Sequence, residues 1–212
     1  LTNRIATFLS VVFHPLIITT YLFGLLFLIT PDLVGVGALE LPALGSLLLL
    51  IFLNTFIAPS VIIYYFYRFG LLSSLHVDNL KERRLPYLVS IIIYAFASYL
   101  FGWRLQPIGE LAPQISIILA GVTVSLIFVA AISLFWKISA HATGVGGSIG
   151  ILTSLLLRFD EPALFIPLLL TIVMSGFLMS ARLQLNAHTS EQIAAGVLGG
   201  IVVGAGTVFL FL

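Results

Sequence analysis

Arg182 and His188 stand with five residues between them in the stretch "SARLQLNAHTSEQ", residues 180–192, and Gln192 comes after His188 with three residues between. Two other polar islands interrupt an otherwise apolar chain: "HVDNLKERRLPY", residues 76–87, and "KISAHATG", residues 137–144. Pooled, they offer Lys81, Arg83, Arg84, Ser139, His141, Arg182 and His188. That set contains several cations, two imidazoles and a hydroxyl, with few carboxylates. A metal site would call for His combined with Asp, Glu or Cys ligands, and a proton relay would call for an intramembrane carboxylate. Clustered Arg and Lys suit a phosphate instead, because the guanidinium presents planar paired donors to its oxygens.

The elements that must position these groups are membrane helices. The 212 residues are 60% hydrophobic and 8% charged, whereas a soluble domain carries about a quarter charged residues. A helix of ~20 apolar residues crosses the ~30 Å hydrocarbon layer. Seven apolar runs fit this description, roughly 5–30, 41–67, 86–103, 111–136, 138–157, 162–180 and 191–212. The expected fold is a single all-α transmembrane domain over residues 1–212, a bundle of about seven helices. The first run is too long, and too continuous with the second, to be a cleaved signal peptide. With Leu at position 1, an initiator Met and a few further residues are expected before it.

Two spans separate the first island from the second, and two more separate the second from the third. An even number of crossings returns the chain to the same face, so all three islands are expected at one membrane surface. Small residues at spacing four, Gly196, Gly200 and Gly204 in the last run and Ala140, Gly144 and Ser148 in the fifth, let helix backbones approach closely in lipid. Pro86 and Pro162 suit first-turn positions. Trp103 and Trp136 at run ends suit an aromatic belt.

Each polar group also has a local reading. "TSEQ" is a capping box with Thr189 as N-cap and Gln192 at N3; if the helix begins earlier, His188 and Gln192 are i,i+4 neighbours on one face. Lys81, Arg83 and Arg84 suit an anchor beside anionic lipids, and Ser139 suits an N-cap. His14, with Pro15 next to it, and Asn54 lie deep in spans; they are read as structural, bonding each other or the backbone kink at Pro15. His76 and Asp78 receive no role.

In order and partly in spacing, the islands resemble the membrane-bound type 2 phosphatidic acid phosphatases, whose signature runs K-x6-R-P, P-S-G-H, S-R-x5-H-x3-D. The Arg182-to-His188 spacing matches the third motif, with Gln192 in place of its Asp. Ser139-Ala140-His141 keeps the Ser and His of the second motif, with Ala140 in place of Gly. Lys81, Arg83, Arg84 and Pro86 supply the first motif's residue types at shorter spacing. The similarity covers about residues 76–192.

The resemblance implies a lipid-phosphate phosphatase acting without a metal or other cofactor. In it His188 attacks phosphorus, His141 protonates the departing alcohol, and Gln192 orients His188. Lys81, one or both of Arg83 and Arg84, Ser139, the Ala140 backbone and Arg182 hold the phosphate. A Gln carbonyl can accept the His188 proton but brings no negative charge, which leaves the imidazole a poorer nucleophile. A catalytically impaired lipid-phosphate binder or transporter, or a lipid phosphotransferase, is the alternative. The expected partners are the lipid phosphate and membrane lipids; a net charge of +1 predicts no nucleic acid. The expected location is a bacterial cytoplasmic membrane. Seven cationic residues on the island side against two opposite favour a cytoplasmic site, but four of the seven are proposed phosphate ligands, so the orientation stays open.

Overall fold

The computed structural model describes residues 1–75 and 79–212; His76 and Asp78 lie outside the described residues. Among the described residues the chain is all-α. Helices α1 (Asn3–Val12) and α2 (Pro15–Ile29) precede α3 (Leu41–Phe52), which runs through a π-helical turn at Leu53–Ile57 into α4 (Ala58–Arg68). Helix α5 (Arg84–Tyr99) ends in a second π-helical turn at Leu100–Arg104. The short α6 (Ile108–Leu111) then leads to α7 (Pro113–Ile132), α8 (Ala140–Arg158), α9 (Phe165–Gln184) and α10 (Ser190–Phe211).

Among the described residues six helices, counting α3 with α4 as one, are long and apolar enough to cross a membrane. The chain is therefore an integral membrane protein. The first apolar run differs from expectation. It is not one helix but the pair α1 and α2, bent by 61° at His14, and only if that pair forms one span does the count reach seven. The physical reason lies in the sequence. Pro15 occupies the first position of α2, where its missing N–H is harmless and its fixed φ starts a helix. His14 before it is extended and caps that helix. Helix α1 then lies against α9, with Gln184 Nε2 donating to Asn3 Oδ1 at 3.1 Å.

The π-helical turn in the second span has an equally local cause. Pro59 lacks the N–H that would pair with the Thr55 carbonyl. The buried Tyr94 hydroxyl on α5 donates to that carbonyl at 2.8 Å instead, with the Leu16 carbonyl of α2 a second acceptor at 3.1 Å. Asn54 Nδ2 and Thr55 Oγ1 bond the Leu50 and Ile51 carbonyls of the preceding turn. Asn54 thus serves its own helix and does not bond His14, one of the two structural expectations; His14 bonds the backbone at the Pro15 kink, the other.

The tightest packing joins α8 to α10. In lipid, apolar surfaces gain little by leaving the equally apolar tails, so close backbone approach carries helix association. A Cβ on Gly200 would collide with the Thr143 carbonyl, one on Gly204 with that of Gly147, and ones on Gly146 and Gly150 with those of Val197 and Ile201. The α10 stripe is the one expected from spacing. The α8 stripe is not: Gly144 faces Ile18 of α2, and Gly146 and Gly150 meet α10. Several small residues occur on more than one face of α8, so spacing alone does not select the face. The main apolar core, with Phe23, Phe27, Ile51, Phe101, Ile118 and Leu155, fills the half of the bundle away from the islands.

Candidate active site

The ends of α8, α9 and α10, the start of α5 and the α1–α2 bend enclose a cavity of about 340 Å³. His14, Arg83, Ala140, His141, Arg182 and His188 all line it, so the three islands meet at one end of the bundle. Leu16, Ile63, Leu75, Pro86 and Leu126 form its apolar part, and Ser60, Tyr64, Tyr87 and Ser90 also border it.

The seam between α8 and α10 places the two histidines. Ser139, fully buried, is the N-cap of α8, its Oγ accepting from Ala142 N–H at 3.3 Å. Its own N–H donates to the Gln192 carbonyl at 3.4 Å, which ties the starts of the two helices together. Ser139 is absent from the cavity lining, so the local reading describes it and the phosphate-donor role does not. Ala140 and His141, in the first turn of α8, do face the cavity, where the free N–H groups of a helix start favour an anion.

The two readings of Gln192 prove to be one arrangement. Its Oε1 accepts from the Thr189 N–H at 3.2 Å and lies 3.1 Å from His188 Nδ1. The backbone N–H fixes that atom as the amide oxygen. The Lys137 carbonyl stands 3.3 Å from the same Nδ1. Both neighbours are oxygens that can only accept, so His188 carries its proton on Nδ1 and its lone pair on Nε2. Burial lowers the pKa of His188 to about 4, and the positive charges of Arg182 and Arg83 act the same way; the bonds to Gln192 and to the Lys137 carbonyl oppose the shift. The imidazole is therefore neutral at ordinary pH.

His141 is fixed from the other end. Its Nε2 lies 3.1 Å from the Ser10 carbonyl of α1, which can only accept, so Nε2 carries the proton and Nδ1 is the nitrogen left for proton exchange.

The basic island divides. Arg83 is 9% exposed and lines the cavity, with Nη1 3.5 Å from the Ile138 carbonyl. Lys81 and Arg84 are exposed and take no part in the lining. The reason is register: Arg83 sits immediately before the first turn of α5, on the side of Pro86 and Ser90, while its neighbours point outward. His14 lines the cavity too, although the sequence gives it a structural role alone. Its ring stands edge-on to that of His141, with centroids 6.0 Å apart. The signal is present in the sequence, because a His-Pro pair inside an apolar run marks an N-cap and a helix start, and a helix starting in mid-run must expose its cap.

Among the described residues no group of three or more His, Asp and Glu is placed to hold a metal ion. Comparison with protein-family models, with curated proteins and with solved structures gives no match.

Proposed function

We propose that this chain is a phosphatase of lipid phosphates, acting through a phosphohistidine on His188. The observation that carries the reading is the state of His188: a neutral imidazole, held by its Nδ1 proton between two oxygen acceptors, in a cavity that Arg182 and Arg83 also line. A nucleophile needs an unprotonated atom and a fixed direction, and the Nδ1 contacts supply both.

In the proposed reaction His188 Nε2 attacks phosphorus and forms the N–P bond while the P–O bond to the lipid alcohol breaks. The departing oxygen takes a proton from His141 Nδ1, which has drawn it from the monoanionic phosphoryl group, while the Ser10 carbonyl holds the ring through Nε2–H. Neutral His141 then takes a proton from water as the water oxygen attacks phosphorus and the N–P bond breaks, and passes it to the released phosphate, restoring both histidines. Arg182 and Arg83 hold the non-bridging oxygens, where fixed positive donors act most strongly on the developing charge. The apolar residues of the cavity receive the first carbons of the tail. The proposed location is a bacterial cytoplasmic membrane.

The neutral partner of His188 favours a second reading, a lipid-phosphate binder that does not turn over. The test uses the purified protein in detergent with phosphatidic acid, an isoprenyl phosphate and an isoprenyl diphosphate, in the presence of a chelator. Phosphate release by the natural protein, lost by more than a thousandfold in His188→Ala, is the expected result. Lipid-phosphate binding without release in either protein establishes the binder instead. Transfer to an added alcohol in place of water identifies a phosphotransferase.

A further inference from the structure

The cavity holds a third imidazole that the proposed reaction does not use. His14 Nδ1 accepts the Leu16 N–H at 3.4 Å, as the N-cap of the 15-residue helix α2. A nitrogen that accepts a backbone N–H has its lone pair there, so the proton of the neutral ring is on Nε2. Nε2 makes no hydrogen bond among the described residues. The ring is exposed on the cavity side, edge-on to both Phe56 and His141.

Meanwhile two cationic residues of the basic island, Lys81 and Arg84, face away from the cavity. Among the described residues, the guanidinium groups that line the cavity come from α9 and the start of α5. On the side formed by α2 the lining residue with a side-chain N–H is His14, and the start of α2 adds the favourable end of a helix dipole.

We infer that His14 is a phosphate-binding residue, donating from Nε2 to an oxygen of the phosphoryl group as a neutral imidazole held in one tautomer by its cap bond. Its chemistry suits a donor and not an acid. Giving up the Nε2 proton from the neutral ring would leave an imidazolate, and adding a second proton at Nδ1 would break the bond to Leu16. The residue thus completes, from the first helix pair, an anion site otherwise built by the three islands. This rests on the phosphate-site reading above.

The test separates the two ends of the ring. In His14→Asn the side-chain oxygen takes the place of Nδ1 and keeps the cap, since Asn is among the best N-cap residues, while the distal donor is gone. In His14→Gln the side-chain amide nitrogen reaches the place of Nε2, while the cap is weakened. Inorganic phosphate is titrated by calorimetry into the purified full chain, and thermal unfolding is recorded for each variant. Removing a hydrogen bond to a charged group predicts roughly tenfold or weaker phosphate binding in His14→Asn, with unfolding close to that of the natural protein. His14→Gln recovers several-fold of that affinity and unfolds at lower temperature.

Affinities that track the stability order, equal losses in both variants, or an Asn variant that fails to fold overturn the inference and leave His14 a cap alone. A natural protein that binds no inorganic phosphate removes the phosphate site itself, and the His14 role with it. Phosphate binding that is intact in the natural protein and in His14→Asn removes only the role of His14.

Discussion

The wall that carries His141 and His188 and the wall that carries His14 and Arg83 are held in different ways. The first is the mouth of a backbone-to-backbone seam: α8 and α10 touch through glycines along their length, and the Ser139 N–H to Gln192 carbonyl bond closes it at the cavity end. The second is an assembly of separate pieces. A bend between two helices presents His14, a residue just before α5 presents Arg83, and the Tyr94 hydroxyl joins their helices to the π-helical turn. The first wall can keep two imidazoles in register because nothing between its helices can move without breaking contact. The second depends on caps and on one shared hydroxyl, so single substitutions there should alter binding before they alter the fold.

That contrast can be broken most severely at Gly200. A side chain there meets the Thr143 carbonyl and the Gly147 N–H, both backbone atoms that cannot turn away. Gly200→Leu should force α8 from α10, abolish folded yield in detergent, and remove activity with it. Gly206→Ala on the same helix, where nothing lies within 4 Å, should leave the unfolding temperature unchanged or slightly raised; size-exclusion profiles and thermal scans read both. If Gly200→Leu folds normally, the seam is not what fixes the first wall.

The second wall gives a smaller effect and a sharper choice. Arg83→Ala should lower kcat/KM on the preferred lipid phosphate about a hundredfold, roughly 2.7 kcal/mol of transition-state binding. Arg84→Ala and Lys81→Ala should each change it less than threefold. The reverse order would mean that the exposed residues, and not the cavity-lining one, meet the phosphate.

A third prediction concerns Gln192. With the His188 pKa at about 4, the proposed nucleophile stays unprotonated above that value, and activity should fall as pH drops through it. Gln192→Glu retains an acceptor for the capping box and sets a carboxylate against the Nδ1 proton. The acid limb should then move upward by about one unit or more. Stability has the same sign. The unfolded value is 6.5 and the folded value lower, so the contribution of neutral His188 is complete above 6.5 and is lost as pH falls towards 4. An acid limb that stays put in Gln192→Glu would show that Gln192 serves the cap and not the imidazole. Smallest of all, Ser139→Ala should cost about 1 kcal/mol of stability through the lost cap, with little change in KM, because Ser139 is outside the cavity lining.

The two walls also differ in how legible they are in the sequence. Spans can be read to within a few residues because apolar length has few interpretations in a membrane chain. The convergence of Arg83, His141, Arg182 and His188 comes from counting crossings. What spacing cannot show is direction. Arg83 and Arg84 are adjacent and chemically equal, and only the register of α5 turns one inward. Gln192 reads as a choice between cap and orienter, yet one carbonyl oxygen has two lone pairs and serves both the Thr189 N–H and His188. The α8 stripe is illegible because its glycines offer more than one smooth face. His14 reads as structural because a polar residue within an apolar run suggests burial, and the cue to its place at the cavity lies in the neighbouring Pro15, which makes the bend.

The bend also bears on how deep the proposed chemistry would lie. Helix α2 has 15 residues, which at 1.5 Å per residue reach about 22 Å, short of a hydrocarbon layer ~30 Å thick. Where α2 is the crossing part of the bent pair, the bilayer beside it thins to meet His14, or His14 stands several ångströms beneath the headgroup plane. In both cases a lipid ester bound as proposed would leave its usual level among the headgroups and sink into the leaflet.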